Sequence, residues 1–323
     1  MKQIKANLIY FDANQLEDYF LDSTYKKAYD IFIGDDLEIS NTSEVYNDTV
    51  FIFTGRIYNG ILTTINTMQR DGEEFYNYIP VEDIGKIWVR GKNFPYKKFE
   101  NTGIEIINSK EVTEIADSKD KTYDYLKEFM PKSELIEFKA DGSIEKSVAL
   151  SSVTSLTSFV AKPTNGLKGE GIVKIEDLDQ LNNFIYKAEK GKWIIQEFIE
   201  CIDYKPLNIK GTHDIRLIIV NEDIVGISIR KPVKGGWLCN VAQGGSIKVL
   251  DAKDISQEVM KDMEGLKTSV INALPKSFKK AVFSIDFCNT KDGFKIFELN
   301  SYPGIRSSYK SYIEAIKEWF NSK

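Results

Sequence analysis

Apolar and polar positions alternate most regularly between Ala281 and Gly304, in AVFSIDFCNTKDGFKIFELNSYPG. A period of two predicts two short strands. AVFSIDFC sets Val282, Ser284 and Asp286 on one face and Phe283, Ile285 and Phe287 on the other. KIFELN sets Phe297 and Leu299 on one face, with Ile296, Glu298 and Asn300 opposite. NTKDG between them ends in the turn pair Asp292-Gly293. A hairpin centred there places Asp286 across from Glu298, with Asn300 two residues further on the same face. Carboxylates facing each other across a ladder repel. A hard cation between them removes the repulsion, because Mg²⁺ takes oxygen ligands from one or two carboxylates, phosphates and water. A solvated hairpin face is the plain alternative, and this stretch alone leaves both open.

The same patterning organises the rest of the chain. Up to about Asn108, strand-like runs (ANLIYFD, YDIFIGD, TVFIFTG, GKIWVRG, GIEIIN) alternate with helix-like ones (QLEDYFLDSTYKKAY, NGILTTINTMQRDG). This predicts an α/β sheet of mostly parallel strands. Arg56 and Arg90 follow strand runs, where such sheets place ligands, although an ordinary surface arginine is the plainer reading of each alone. Ser109 to Phe129 reads as a helix ended by Pro131, and 133–155 as a linker region. A strand over Ser158–Lys162 then enters a loop with Gly166, Gly169 and Gly171, followed by the strand IVKI. Glycines let backbone amides cradle phosphate oxygens. It is not a Walker loop, because no GK[ST] and no helix follows. EDLDQLNNFIYKAEKG reads as a helix and KWIIQEFIE as a strand. THDIRLIIVNEDIVGISIRK reads as a hairpin that brings Arg216 and Arg230 roughly across from each other, and GGWLCNVAQGG as a loop carrying Asn240. At the end, Tyr312, Ile313, Ile316, Trp319 and Phe320 form a helical stripe for core docking.

Composition narrows the function classes. A chain of 323 residues suggests about two domains. A net charge of −5 without any basic stripe argues against nucleic acid, and no apolar run is long enough for a membrane span. MKQIKANLIYFD turns polar before a signal-peptide core develops, and Cys201, Cys239 and Cys288 are scattered without a CxxC pair. A cytoplasmic location is expected. The single histidine, His213, precludes a His-rich metal site. The six arginines, in a chain that otherwise uses lysine for charge, are candidates for bidentate anion contacts.

In chain order the second half carries Lys162, a glycine loop, QEF, DIR…R, Asn240 with a glycine pair, then D-x₁₁-E-x-N-x-x-P-G at Asp286, Glu298, Asn300, Pro303 and Gly304. This series resembles the ATP-grasp superfamily, in particular the branch of glutathione synthetase and the ligase that adds glutamate to a ribosomal protein. The resemblance spans roughly Gly103 to Gly304. It implies an N-terminal Rossmann-like parallel-sheet domain over 1–112. An ATP-grasp domain of two α+β subdomains would follow over 113–323, with a central lid at about 155–200. It also implies that Lys119 and Lys162 contact ATP phosphates, that Gly166, Gly169 and Gly171 close over them, and that Gln196, Glu197 and Phe198 form the adenine hinge. Asp286, Glu298 and Asn300 would hold two Mg²⁺ ions, with Mn²⁺ as a substitute. Arg216, Arg230 and Asn240 would face the transferring phosphoryl group and the substrate carboxylate. Ser118 stands where the family has an acidic residue before Lys119, and Lys168 where a small residue is usual. The implied reaction joins a carboxylate and an amine into an amide through an acyl phosphate, releasing ADP and phosphate. Phosphoryl transfer without amide formation and a non-catalytic ATP-binding module are the alternatives. The expected substrate is an amino acid or peptide, with a protein acceptor and homo-oligomerisation left open. The roles of Arg56, Arg90, His213 and Arg306 are also open.

Overall fold

The computed structural model describes residues 6–10, 50–58, 61–70, 73–80, 84–91, 94–138, 158–164, 171–187, 191–241, 244–304 and 308–322. The first sheet contains β1 (Ala6–Tyr10), β2 (Val50–Tyr58), β3 (Ile61–Arg70), β4 (Glu73–Pro80), β5 (Ile84–Val89) and β6 (Glu105–Ile107). Its order is β4-β3-β2-β1-β5-β6. β2, β1, β5 and β6 are parallel neighbours, as alternation predicts, whereas β3 and β4 join antiparallel at one edge.

β3 corrects the reading of NGILTTINTMQRDG as a helix. Tyr58 pairs with Ile61 and Arg70 with Glu73, so Asn59-Gly60 and Asp71-Gly72 stand between paired strand ends. Both dipeptides are hairpin-turn signals, and the Ile- and Thr-rich run between them suits a pleated surface. The expected strand YDIFIGD and helix QLEDYFLDSTYKKAY lie outside the described residues.

Two short helices follow, α1 (Lys110–Ala116) and α2 (Lys119–Leu126), in place of one. Ser109 caps α1 by accepting a hydrogen bond from Val112 N. The next strand, β7 (Ser133–Phe138), occupies the expected linker region. It pairs with a later strand along its whole length, so tertiary pairing decides what its short alternating pattern did not. β8 (Phe159–Pro163), β9 (Val173–Ile175), α3 (Leu178–Lys187) and β10 (Gly191–Glu197) complete a four-stranded sheet of order β7-β10-β8-β9. Its small core contains Ile136, Phe159, Ala161, Ile175, Leu181 and Ile195.

The third sheet is built from β11 (Asp214–Val220), β12 (Asp223–Lys231), β13 (Ser246–Asp251), β14 (Val282–Thr290) and β15 (Gly293–Asn300), with α4 (Gln257–Ala273) after β13 and α5 (Lys310–Asn321) at the end. Its order, β13-β12-β11-β14-β15, is antiparallel throughout. Asn221 and Glu222 both take positive φ in the β11–β12 turn, giving a tight two-residue reversal. One face of the sheet packs Leu217, Ile285, Phe287 and Ile296 against α4 residues Val259, Met263 and Val270. The other face shares a cluster with α5 and the first sheet, in which Trp88 and Ile107 meet Val282, Tyr312 and Ile316.

Polar clamps join the first sheet to the third. Asn108, at φ 65°, receives a hydrogen bond from Val282 N on Oδ1 at 2.7 Å. Its Nδ2 donates to Val282 O at 2.8 Å and to Ser301 O. Asp117 accepts from Ser301 N and Oγ at 3.0 and 2.8 Å. Arg90 donates to Pro303 O at 2.9 Å and lies 4.5 Å over the Trp88 ring. It is therefore a buried tie that holds the loop after Asn300. Lys86 is buried beneath the end of α5, donating to Trp319 O and to Ser322 O at 2.7 Å.

Candidate functional site

The final hairpin has the register its sequence predicts: Asp286 pairs with Glu298 and Ser284 with Asn300. Its turn is two residues long, because Thr290 pairs with Gly293. The register closes through a bulge, with Phe287 opposite Ile296 and Phe297 left as the extra residue. The bulge shifts the phase of the strand by one residue. Ile296 joins Leu299 in the core, while Phe297 turns towards Lys162, whose Nζ is 5.5 Å from the ring centre. The strict alternation expected for KIFELN is corrected at these two positions.

On the same face, neighbouring strands place charge in rows. Arg216 is the register partner of Asp286, and Asp214 of Arg230. The two arginines are thus diagonal on β11 and β12, since Arg216 itself pairs with Ser228. Arg216 grips Asp286 with a fork, Nε to Oδ1 at 2.7 Å and Nη2 to Oδ2 at 2.6 Å. Arg230 Nη2 donates to both Asp286 Oδ2 and Asp214 Oδ2, each at 2.5 Å. Burial pushes the Asp286 carboxyl upward, but the two guanidinium groups outweigh it and hold it down at about 2. Asp214 is balanced the other way. Burial outweighs the attraction of Arg230, with Asp286 adding repulsion, and its carboxyl is pushed up to about 6. Asp214 Oδ1 and Arg230 Nε are buried without a hydrogen-bond partner among the described residues. Sequence reasoning overlooked Asp214, although its place two residues before Arg216 on a strand puts both on one face.

Lys162 approaches this row from the four-stranded sheet and Lys119 from α2. Lys162, on β8, donates to Gln196 Oε1 at 2.6 Å, and Gln196 donates in turn to Ser133 Oγ at 3.0 Å. Burial lowers the Lys162 ammonium to about 8, partly opposed by attraction from Glu298. Lys119, at the start of α2, brings Nζ to 4.0 Å from Glu298. The amides of Glu197 and Phe198 are used internally, by Lys132 O at 2.8 Å and Ser158 O at 3.1 Å. Those two donors are thus already engaged within the fold. Phe198 stacks edge-on with Trp237, and Lys174 lies over its ring. Gly171 has φ +69°, and a Cβ there would meet Pro163 Cγ at 2.9 Å. Gly166, Gly169 and Arg306 lie outside the described residues, as does the side chain of Arg56 on β2. Asn240 sits in the loop after β12, where its carbonyl accepts from Gly245 N. His213 is a buried structural residue, bonded to Gly211 O at 2.8 Å and to Asn289 N at 3.3 Å.

These residues fit a polyanion with hard cations. Lys119, Lys162, Arg216 and Arg230 face Asp214, Asp286 and Glu298, leaving one positive charge in excess before any ligand enters. Among the described residues no three His, Cys, Asp or Glu side chains form a metal cage. The candidate oxygen donors are two carboxylates and an amide: Asp286 and Glu298 paired across one hairpin, and Asn300, whose Oδ1 accepts from Tyr302 N at 2.9 Å. So sparse a set suits Mg²⁺, which completes its shell with phosphate oxygens and water.

A sequence model described as RimK-like ATP-grasp domain matches residues 130–320. The tetrahydromethanopterin:alpha-L-glutamate ligase of Methanocaldococcus jannaschii is 32% identical over 154 residues, covering 45% of each chain. Its counterpart in Methanosarcina acetivorans is 24% identical, covering 72% of this chain and 74% of that one. The glutamate–LysW ligase ArgX of Sulfurisphaera tokodaii is 27% identical, covering 63% and 67%. The chain thus spans less than half the length of the first of these relatives. Among solved structures, the VanG D-Ala:D-Ser ligase from Enterococcus faecalis superposes with a TM-score of 0.63 over 97% of this chain and 95% of that one, at 14% identity. The fold is that of the ATP-grasp ligases.

Proposed function

For a chain that belongs to the RimK-like ATP-grasp family, we propose an ATP-dependent carboxylate–amine ligase that adds an acidic amino acid, L-glutamate by preference, to a carboxylate-bearing acceptor. The observation that carries this reading is the Asp286 row, a buried carboxylate gripped by Arg216 and Arg230 directly across from Glu298. Activation of a carboxylate by ATP brings two anions together, and such a reaction needs fixed positive charge where negative charge develops. Bound at Asp286, Glu298 and Asn300, Mg²⁺ would supply further charge to the phosphates.

The chain's own residues then divide the work. Lys119 and Lys162 hold phosphate, with Gly166, Gly169 and Gly171 closing over it. Gln196 orients Lys162 through their hydrogen bond. Arg216 holds Asp286 in place, while Arg230 and Asn240 meet the transferring phosphoryl group and the substrate carboxylate. An amine then displaces phosphate from the acyl phosphate to give the amide. The names of the relatives support glutamate as that amine. We further propose a division into 1–112 and 113–323 with a lid at 155–200, and a cytoplasmic location. No helix among the described residues is long and apolar enough to cross a membrane.

The test is ADP release from Mg·ATP with L-glutamate and a panel of carboxylate acceptors, with mass spectrometry of the product. Glutamate-dependent ADP release and a product heavier by one glutamyl residue are expected. ADP release that never depends on an amine would refute amide formation.

A further inference from the structure

A row of polar side chains crosses three strands of the four-stranded sheet. Ser133 on β7 pairs directly with Gln196 on β10. Ile194, two residues before Gln196, pairs with Lys162 on β8. A period of two therefore puts Ser133, Gln196 and Lys162 on one face. Gln196 is 2% exposed and Ser133 9%, so their polar atoms find partners within the fold.

The donors and acceptors of this row fit in one sense only. Pro131 O can only accept, and the Ser133 hydroxyl donates to it at 2.8 Å. That hydroxyl has a single proton, which leaves its oxygen as an acceptor towards Gln196. Gln196 Nε2 donates to it at 3.0 Å. The amide is thereby held with Oε1 towards the Lys162 ammonium, which can only donate and does so at 2.6 Å. A reversed amide would set donor against donor at Lys162 and acceptor against acceptor at Ser133.

The segment that carries Pro131 and Ser133 is itself fastened to the site. Ile296 N, on the hairpin strand of Glu298, donates to Phe129 O at 2.9 Å, and Glu197 N donates to Lys132 O at 2.8 Å. Ser133 N donates to Tyr123 OH at 3.2 Å, on the helix that begins at Lys119. The strand of Glu298, the helix of Lys119 and the row ending at Lys162 thus share one short anchor, residues 129–133.

We propose that Ser133 is a positioning residue: through Gln196 it aims the Lys162 ammonium and sets its place relative to the Glu298 hairpin. Gln196 takes one of the three ammonium protons and brings no charge of its own. Two protons and the full positive charge stay available for a polyanion. Ser133→Ala removes the hold on the far end of the amide and leaves Pro131 O without its donor. The amide then swings, and Lys162 loses its aim.

The effect on nucleotide rests on the ligase reading, with Lys162 as a phosphate contact, whereas the aiming of Lys162 does not. The first measurement therefore uses no nucleotide: ¹³C relaxation at Lys162 Cε in the full chain. Lys162 should be ordered in the parent, more mobile in Ser133→Ala, and ordered again in Ser133→Thr, which keeps the hydroxyl on a residue suited to a strand. Equal order in Ser133→Ala and the parent overturns the proposal. The second is calorimetry with Mg·ATP. Ser133→Ala should bind about 3–10-fold more weakly, the scale of one hydrogen bond, with affinity restored in Ser133→Thr. On a Lys162→Met background the same substitution should cost nothing further, because the effect runs through Lys162. A loss that persists undiminished on that background means that Ser133 acts by another route, and overturns the proposal. A parent that binds no Mg·ATP refutes the ligase reading instead, and the proposal is then decided by the relaxation result alone.

Discussion

Removing Arg230 should cost stability before it costs chemistry, with a signature in pH. Arg230→Ala takes one hydrogen bond from Asp286 Oδ2 and, among the described residues, the side-chain partner of Asp214 Oδ2. Asp286 keeps the two-point grip of Arg216, so Asp214 carries most of the loss. With Arg230 present, its folded pKa of about 6 lies above the ordinary 3.8. A carboxyl raised in the fold binds its proton more tightly than in the unfolded chain, so stability falls between pH 3.8 and about 6 and then levels off. Without Arg230 the folded value climbs further, and stability keeps falling above pH 6 by about 1.4 kcal/mol per pH unit for one proton. From pH 6 to 8 the gap to the parent should widen by roughly 3 kcal/mol. Added to about 1 kcal/mol for the hydrogen bond lost at Asp286, this comes to roughly 4 kcal/mol at pH 8. That agrees with the 3–5 kcal/mol typical of breaking a buried pair. Urea unfolding of both proteins at pH 6, 7 and 8 measures the gap. A gap independent of pH, or below about 1 kcal/mol at pH 8, would refute the account of Asp214.

Three further expectations follow from the same geometry. Glu298→Gln should lower turnover by about 10²-fold or more with little loss of stability, because Glu298 is only half-buried and makes one long contact to Lys119; unfolding of the variant, or unchanged turnover, counts against its role. ATP should raise the Lys162 ammonium from about 8, so binding takes up a proton near that pH and affinity falls as pH rises above it. Calorimetry in buffers of different ionisation enthalpy reads the uptake, which Lys162→Met should abolish. Asn108→Ala should cost about 2–4 kcal/mol, for three buried hydrogen bonds and a positive φ that asparagine tolerates better than alanine; a shift in thermal midpoint too small for 1 kcal/mol would contradict that.

The parts of the fold legible in the sequence were those whose signal is local. The Asp286–Glu298 register follows from alternation and one turn, and α5 from its apolar stripe. The bulge at Phe297 was not legible, because nothing in KIFELN distinguishes a phase shift from strict pleating. β3 was misread because an apolar run flanked by glycines fits a helix until the turn chemistry at both ends is weighed. β7 gains its identity from β10, far along the chain. At the site, the family residues were readable as a series, but the sharing of Arg230 between two carboxylates depends on which strands become neighbours. Arg90 was the opposite case: its position after a strand suggested a ligand, and burial against Trp88 made it a tie instead.

The clamps between the first and third sheets also set an order of events during synthesis. Asn108 waits for Val282 and Ser301, Arg90 for Pro303, and Lys86 for carbonyls at Trp319 and Ser322. Each contact spans 174 to 236 residues of chain. At about 5–20 residues per second of translation, the early strands stand for roughly ten seconds or more with Trp88 and Ile107 uncovered. Contacts of such long range also fold slowly once the chain is complete. The apolar face of the first sheet therefore stays uncovered until β14 and α5 have emerged to complete its cluster.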